Sequence, residues 1–273
     1  MISPVTLAIT LYRSRQDLPA LLAALDEFTE VHRDRYRFEC VFVSDGSPDD
    51  SVAFLKRELP GRMTFDYQVI ELTRNFGATF AQRCALKNGH GDYFCQLAPD
   101  LQEPLEFITQ ALARLSTGKV EICYGVPQAR PESFSTRIFS ALFWTVCHFI
   151  LDRNIPVEGI GTFAFTRAFR DAFFQIDNQS QFLTGLTFRI KMKREFLPYV
   201  KLARKQGKSS WTVKKKVRYF SSALFVMLPL PFTQRYSGSH KNSYLEKGPI
   251  FSCFSSTSSV PNKPSQTLAG GGS

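Results

Sequence analysis

Cys95-Gln96-Leu97-Ala98-Pro99-Asp100-Leu101-Gln102-Glu103-Pro104 is the stretch whose reading decides the fold. An apolar run, Tyr93 to Leu97, ends in a small residue, a proline and a carboxylate. A run of this kind, bounded by turn signals, reads as a buried strand. Pro99 has no N–H to give to a ladder, so the strand stops there. Asp100 and Gln102 then stand just past the carboxyl end of a strand, where ligands bind in an open parallel sheet. The same residues also read as a surface aspartate capping the next helix, with Pro104 in its first turn. The rest of the chain separates the two readings.

Working outward, Val5 to Leu11, Phe38 to Val43, Phe65 to Leu72 and Val120 to Val126 are further apolar strands. Helical apolar spacing covers Leu18 to Phe28, Ser51 to Leu59, Thr79 to Asn88 and Leu105 to Leu115. Strands alternating with helices predict βαβ units, hence an α/β fold with a mainly parallel sheet flanked by helices. The first four strands each end in a polar turn: Tyr12-Arg13-Ser14, Asp45-Gly46-Ser47, Arg74-Asn75 and Asp100-Leu101-Gln102. Parallel strands share a direction, so these turns belong on one sheet edge, around one crevice. Ser47 or Asp49 is placed to cap the helix from Ser51.

Past Gln128 the pattern changes. The basic loop from Arg130 to Arg137 opens an apolar helix, Ile138 to Leu151. One face of that helix is core, and the other lies under lipid or against the sheet. Ile155 to Arg167 reads as turn and strand, with Gly159 and Gly161. Gln181 to Arg194 reads as a helix and Phe196 to Val200 as a short strand. The run from Lys201 through Tyr219 is rich in Lys and Arg and leads into Phe220, Leu224, Phe225 and Met227. Basic residues beside bulky apolar ones suit an anionic membrane surface, although a charge run is also an ordinary solvated helix face. From Gln234 periodicity fades and Ser, Asn, Pro and Gly dominate, which predicts disorder.

Composition bounds the function. The 273 residues are 44% hydrophobic, enough for a sizeable core, and carry a net charge of +10. That balance favours polyanions: nucleic acid, phosphorylated small molecules or an anionic membrane. None of the standard nucleic-acid reader motifs occurs, so no nucleic-acid partner is expected. The 6 cysteines include no C-x-x-C pair, which suits reduced thiols in a cytosolic setting. The 4 histidines lack metal-ligand spacing. The N-terminus shows no secretory pattern, and no segment reaches the roughly 20 apolar residues of a spanning helix.

Four motifs come in order along the chain. They are Ser44-Asp45-Gly46-Ser47, Thr73-Arg74-Asn75-Phe76-Gly77, Asp100-Leu101-Gln102-Glu103-Pro104 and Gly207-Lys208-Ser209-Ser210-Trp211. As a set they resemble the family-2 inverting glycosyltransferases of GT-A, Rossmann-like fold, and within them the polyprenyl-phosphate glycosyltransferases. The resemblance implies a glycosyltransferase catalytic domain over residues 1–212, a basic membrane-proximal segment over 213–233, and a disordered or aberrant tail over 234–273. The abrupt loss of pattern near Phe232 fits a truncated or out-of-frame ending.

The implied reaction is inverting transfer from a nucleotide-sugar, a UDP-sugar, to a polyprenyl phosphate or related glycan acceptor in bacterial surface-polysaccharide synthesis. Its implied place is the cytoplasmic side of the plasma membrane, peripheral on the inner face. By resemblance, Asp100 and Gln102 are the metal-side ligands for Mg2+ or Mn2+. Asp45, Arg74, Asn75, Gly77 and Ser209 form the donor set, with Asp45 toward base or ribose. Arg130 and Arg137 meet an anionic acceptor, and Arg204 closes with Ser209 over the diphosphate.

The sequence departs from the family pattern at several points. Ala98 and Ser44 stand where the family has Asp, Tyr12-Arg13-Ser14 replaces the usual Tyr-Asn-Glu, and Gly161 or Thr162 takes a later Asp position. Ser210 stands in the late loop where Lys is usual. The first loss weakens metal binding. The loss at 161 weakens a base-dependent mechanism more than one with a phosphate acceptor. A nucleotide-sugar-binding module without turnover is therefore the alternative reading.

Overall fold

The computed structural model describes residues 2–61, 63–129, 134–150, 152–176, 183–202 and 251–256. Four strands come first: β1 (Ser3–Leu11), β2 (Tyr36–Ser44), β3 (Asp66–Leu72) and β4 (Tyr93–Leu97). Between and after them run the helices α1 (Leu18–His32), α2 (Ser51–Glu58), α3 (Ala78–Asn88) and α4 (Leu105–Leu115). Then follow β5 (Ile122–Ala129), α5 (Phe134–Ile150), β6 (Thr162–Thr166), α6 (Arg167–Gln175), α7 (Leu183–Thr187), β7 (Arg194–Val200) and β8 (Phe251–Ser256).

All eight strands join one sheet in the order β7-β5-β6-β4-β1-β2-β3-β8. β1 pairs in parallel with both β2 and β4, and β2 with β3. β6 runs antiparallel between β4 and β5, β7 is parallel to β5, and β8 is antiparallel to β3. The chain thus builds outward from β1 to β3 and then crosses back to place β4 on the other side of β1. Strand order reverses at that point, and in such sheets a crevice opens there.

Side chains alternate across the sheet with the two-residue period of a strand. Leu7, Ile9 and Phe42 enter a core on one face with Leu21, Leu55, Phe107 and Leu112 of α1, α2 and α4. Ala8, Val41 and Val43 enter the core on the other face with Ala81, Ala85, Trp144, Phe165 and Phe169. The middle strands are covered on both faces, which is why they read as unbroken apolar runs. α5 buries Phe143, Trp144 and Cys147 and leaves Leu142, Phe149 and Ile150 exposed. Gly159 sits at φ +83 against Trp144, and a Cβ there would meet the indole Nε1 at 2.0 Å. No helix among the described residues is long and apolar enough to cross a membrane.

Three elements differ from expectation. The helix expected over 181–194 is confined, among the described residues, to α7. Beyond it the chain turns: the Arg189 N–H donates to Leu186 O at 3.1 Å and the Ile190 N–H to Thr187 O at 3.3 Å, which buries Phe188 and Ile190 and ends the helix. α6 was not anticipated. Thr166 caps it by accepting a hydrogen bond from the Phe169 N–H at 3.3 Å, and Phe169 and Phe173 are buried one turn apart. Within the tail expected to be disordered, β8 pairs with β3, Cys253 opposite Ile70 and Phe254 opposite Val69. Cross-strand pairing with β3 orders those six residues, a gain that low local pattern does not reveal. The rest of the tail, and the basic segment 213–233, lie outside the described residues.

Candidate active site

The carboxyl ends of β1, β2, β3 and β4 lie on one edge, and the four polar turns meet there. The Asp45 N–H donates to Leu11 O at 2.9 Å, joining the first two turns. Arg13, at φ 55, donates its N–H to Ser47 Oγ at 2.7 Å. The Arg15 N–H donates to Asp49 Oδ2 at 3.0 Å. The Arg15 guanidinium reaches Asp50 at 3.3 Å and lies 3.9 Å from the centre of the Phe54 ring. Asp49 Oδ1 also accepts from Ser47 Oγ at 2.7 Å and Ser51 Oγ at 2.6 Å. Partial burial alone would raise the Asp49 pKa, but bonds from Ser51, Ser47 and the Arg15 backbone outweigh it and hold it below the ordinary value. An open cleft of about 450 Å³ lies between these turns, lined by Arg13, Arg15, Gln16, Pro48, Asp49 and Asp50.

Asp45 holds the third turn. Its carboxylate, on a residue only 3% exposed, accepts from the Phe76 N–H at 2.7 Å and from the Gly77 N–H at 2.9 Å. Burial pushes the Asp45 pKa up, and the two N–H donors pull against it without cancelling it. Gly46, at φ +55, brings the two turns face to face. A Cβ on Gly46 would stand 2.3 Å from Arg74 C and 2.5 Å from Asn75 N. Only glycine fits there, and Gly77 at φ +101 opens the chain into α3. The result presents Arg74 and Asn75, both exposed, on a rigid base. The Arg74 guanidinium lies 4.8 Å from the centre of the Phe76 ring, and that ring stacks on Phe80 at 4.9 Å. Asp45, Arg74, Asn75 and Gly77 are thus brought together, with Asp45 bonded to backbone.

The fourth turn turns sharply. Leu101 adopts φ 51, uncommon for a branched residue, and its N–H donates to Ala98 O at 3.3 Å. The Gln102 N–H donates to Asp100 Oδ1 at 3.3 Å, and Gln102 O accepts from the Leu202 N–H at 2.9 Å. Asp100 and Gln102 are half-buried at the same edge as the other turns. They offer one carboxylate and one amide oxygen. No group of three or more His, Cys, Asp or Glu among the described residues is placed to hold a metal. A hard divalent cation takes about six oxygens. This donor set therefore fits a cation that brings most of its ligands with it, from phosphates and water.

Arg137 falls on α5. Arg130, Arg204 and Ser209 lie outside the described residues. Reading the sequence alone missed the cleft residues Arg15 and Asp50 and the locking role of Gly46. A glycine directly after the turn aspartate was the available signal for the second.

Comparison with known proteins agrees with this architecture. The family described as Glycosyl transferase family 2 matches residues 6–175, more than half the chain. The uncharacterized glycosyltransferase YkcC of Bacillus subtilis (strain 168) is 23% identical over 214 residues, 78% of this chain and 65% of its own length. An undecaprenyl-phosphate 4-deoxy-4-formamido-L-arabinose transferase of Pseudomonas syringae pv. syringae (strain B728a) is 33% identical over 129 residues, 47% of this chain and 37% of its own. Among solved structures, mannosyltransferase PcManGT from Pyrobaculum calidifontis, in complex with GDP-Man and Mn2+, has a TM-score of 0.54 at 15% identity. The likeness covers 87% of this chain and 73% of that one, and it is a likeness of fold, the GT-A fold. A family match of this extent, on a sheet whose motif turns meet at one edge, makes the chain a member of glycosyl transferase family 2.

Proposed function

We infer that the chain transfers a sugar, with inversion, from a UDP-sugar to a polyprenyl phosphate or related glycan acceptor. The observation that carries this reading is the meeting of four polar turns at one sheet edge. Asp45 pins the turn bearing Arg74 and Asn75, and Asp100 and Gln102 share its edge. Arg74 and Asn75 hold the uridine or diphosphate region. Asp100 and Gln102 take Mg2+ or Mn2+, which neutralises the diphosphate and supplies leaving-group stabilisation when bound. Arg130 and Arg137 draw the acceptor, and Arg204 with Ser209 closes over the diphosphate. The relative named for undecaprenyl-phosphate transfer supports the acceptor class. The basic segment 213–233 and the exposed apolar residues of α5 favour work at an anionic membrane, on the inner face of the plasma membrane.

A phosphate acceptor is largely dianionic at neutral pH, since its second pKa is near about 6. Its oxygen attacks the anomeric carbon without a general base, whereas a hydroxyl must lose a proton to one. The test has two stages. Calorimetry with UDP, GDP and Mn2+ is expected to show metal-dependent UDP binding, and Asp100→Ala is expected to abolish metal-dependent transfer to an added polyprenyl phosphate. Turnover that survives Asp100→Ala would show the metal assignment to be wrong. Ala98 and Ser44 favour a second reading, a binding module. UDP binding with neither donor hydrolysis nor transfer would select it.

A further inference from the structure

Cys253 lies on β8 directly opposite Ile70 of β3, and Phe254 opposite Val69. Residues directly opposite in an antiparallel pair point to the same face. The Phe254 ring accordingly lies 6.0 Å from the Tyr67 ring, on the face where Tyr67 and Val69 are buried. Cys253 therefore points to the other face, with Ile70, where α3 packs. Cys84 of α3 is half-buried against that same core. On one flank of α3 the Arg83 guanidinium lies 5.9 Å from the centre of the Phe173 ring of α6, and Cys84 is on the opposite flank, toward β8.

The two cysteines also share a level along the sheet. α3 follows β3 and leads to β4, which runs the same way as β3, so the helix runs back against the strand. Gln68 Nε2 donates to Asn88 O at 2.9 Å, which ties the foot of α3 to β3. From Asn88 back to Cys84 is about one helical turn, a climb of roughly 6 Å. From Gln68 on to Ile70 the strand climbs roughly 6.6 Å. Cys84 thus stands level with Ile70, and Cys253 is the residue beside Ile70 on the next strand. The electrostatics agree. Burial, then the charge of Cys253, push the Cys84 thiol up to about 11, against the pull of Lys87 and of Asn88 Nδ2, which donates to Cys84 Sγ at 3.6 Å. A contrasting pair, Cys95 and Cys123, is buried with Ala164 of β6 between its members, two strand spacings or roughly 10 Å apart, too far to bridge.

We propose that Cys84 and Cys253 are a reversible thiol–disulfide pair whose bridge fastens β8 to α3. The oxidant is a small-molecule disulfide of the glutathione class. The Cys253 thiolate, on the exposed edge strand, attacks one sulfur of that disulfide, the S–S bond breaks, and one glutathione leaves as its thiolate. The Cys84 thiolate then attacks the Cys253 sulfur of the mixed disulfide and expels the second glutathione. The protein thiols lose two protons and two electrons, and the oxidised glutathione becomes two thiols. Among the described residues β8 is held to the sheet through β3 alone, so a covalent tie to α3 limits its local opening. α3 itself begins at the Gly77 turn held by Asp45, so the bridge joins the edge strand to the helix behind that turn.

The test uses the full chain, reduced, then incubated folded with oxidised glutathione, after which remaining thiols are alkylated and the peptides weighed. The expected product is a Cys84–Cys253 joined peptide that dithiothreitol separates. It should form faster at pH 9 than at pH 7, because both thiols titrate above the ordinary range. Oxidation is expected to raise the wild-type melting temperature by about 5 °C and to slow amide exchange over residues 251–256 roughly tenfold. Cys84→Ser and Cys253→Ser should each melt alike with and without oxidised glutathione. Each variant is compared with its own reduced form, so the cost of the substitution itself cancels. Glutathione left on Cys253 without closure, a Cys253–Cys253 link between two copies, or a joined peptide with unchanged exchange would each overturn the proposal.

Discussion

Asp45 and Asp49 stand four positions apart around one turn, yet their surroundings act on them in opposite directions. Asp49 is held below its ordinary pKa because bonds from Ser51, Ser47 and Arg15 outweigh its partial burial. Its contribution to stability is therefore complete above the ordinary carboxylate range and is lost as pH falls through the lowered folded value. Asp49→Asn is expected to melt lower than wild type near neutral pH. It should also lose less further stability between about pH 5 and pH 2, as thermal melts over that range would read. Asp45 is raised by burial, so its contribution tilts the other way, complete at low pH and lost as pH rises through the folded value.

Asp45→Ala leaves the Phe76 and Gly77 N–H groups without their acceptor. The expected cost is about 1–3 kcal/mol in urea denaturation, with UDP affinity reduced at least tenfold. Unchanged UDP affinity would mean that the Arg74–Asn75 turn keeps its shape unaided. The aspartate itself was legible in the sequence because it follows a strand. Its partners were not, since they lie about thirty residues away and meet it only through the glycine contact at Gly46.

At the scale of elements, β1 to β4 and α1 to α4 were legible because the middle strands are covered on both faces and each helix carries one apolar stripe. Bounds moved by a few residues, as at β3, which begins at Asp66 rather than Phe65. Legibility fell where elements became short. α6 holds one Phe pair and one threonine cap, a weak signal over nine residues. The stretch leading into β7 is a set of turns with i→i−3 bonds, which its helix-forming residues disguise as a continued helix. The packing nonetheless gives α6 real weight. Phe169 is fully buried against Phe165, their ring centres 5.3 Å apart. Phe169→Ala is expected to cost about 3–5 kcal/mol, read by chemical denaturation. A loss below about 1 kcal/mol would mean that α6 is not anchored as described.

Across the whole molecule the two sheet edges divide the work. The edge of the turns is polar, glycine-shaped and open. At the opposite edge Glu39 is buried and gathers donors from Thr6 Oγ1 at 3.2 Å, Gln68 Nε2 at 2.6 Å, the His90 N–H at 2.8 Å and His90 Nδ1 at 2.9 Å. Such a fully bonded carboxylate ties β1, β2, β3 and the turn before β4 together and leaves the other edge free to specialise. Among the departures from the resembled pattern, Ser44, Ala98 and Gly161 are all small residues, so none of them takes a large side chain out of the core.

β8 has a consequence of another kind, for how the protein behaves in concentrated solution. It is the strand that occupies the outer side of β3 among the described residues. Without it, β3 would offer a row of unused N–H and C=O groups to any extended chain nearby, including another copy of itself. A chain ending at residue 250 is therefore expected to scatter light and precipitate at concentrations where the full chain stays clear. Equal clarity would mean that β3 needs no cover. If only the full chain stays clear, six residues that look like the least informative part of the sequence are its safeguard against self-association.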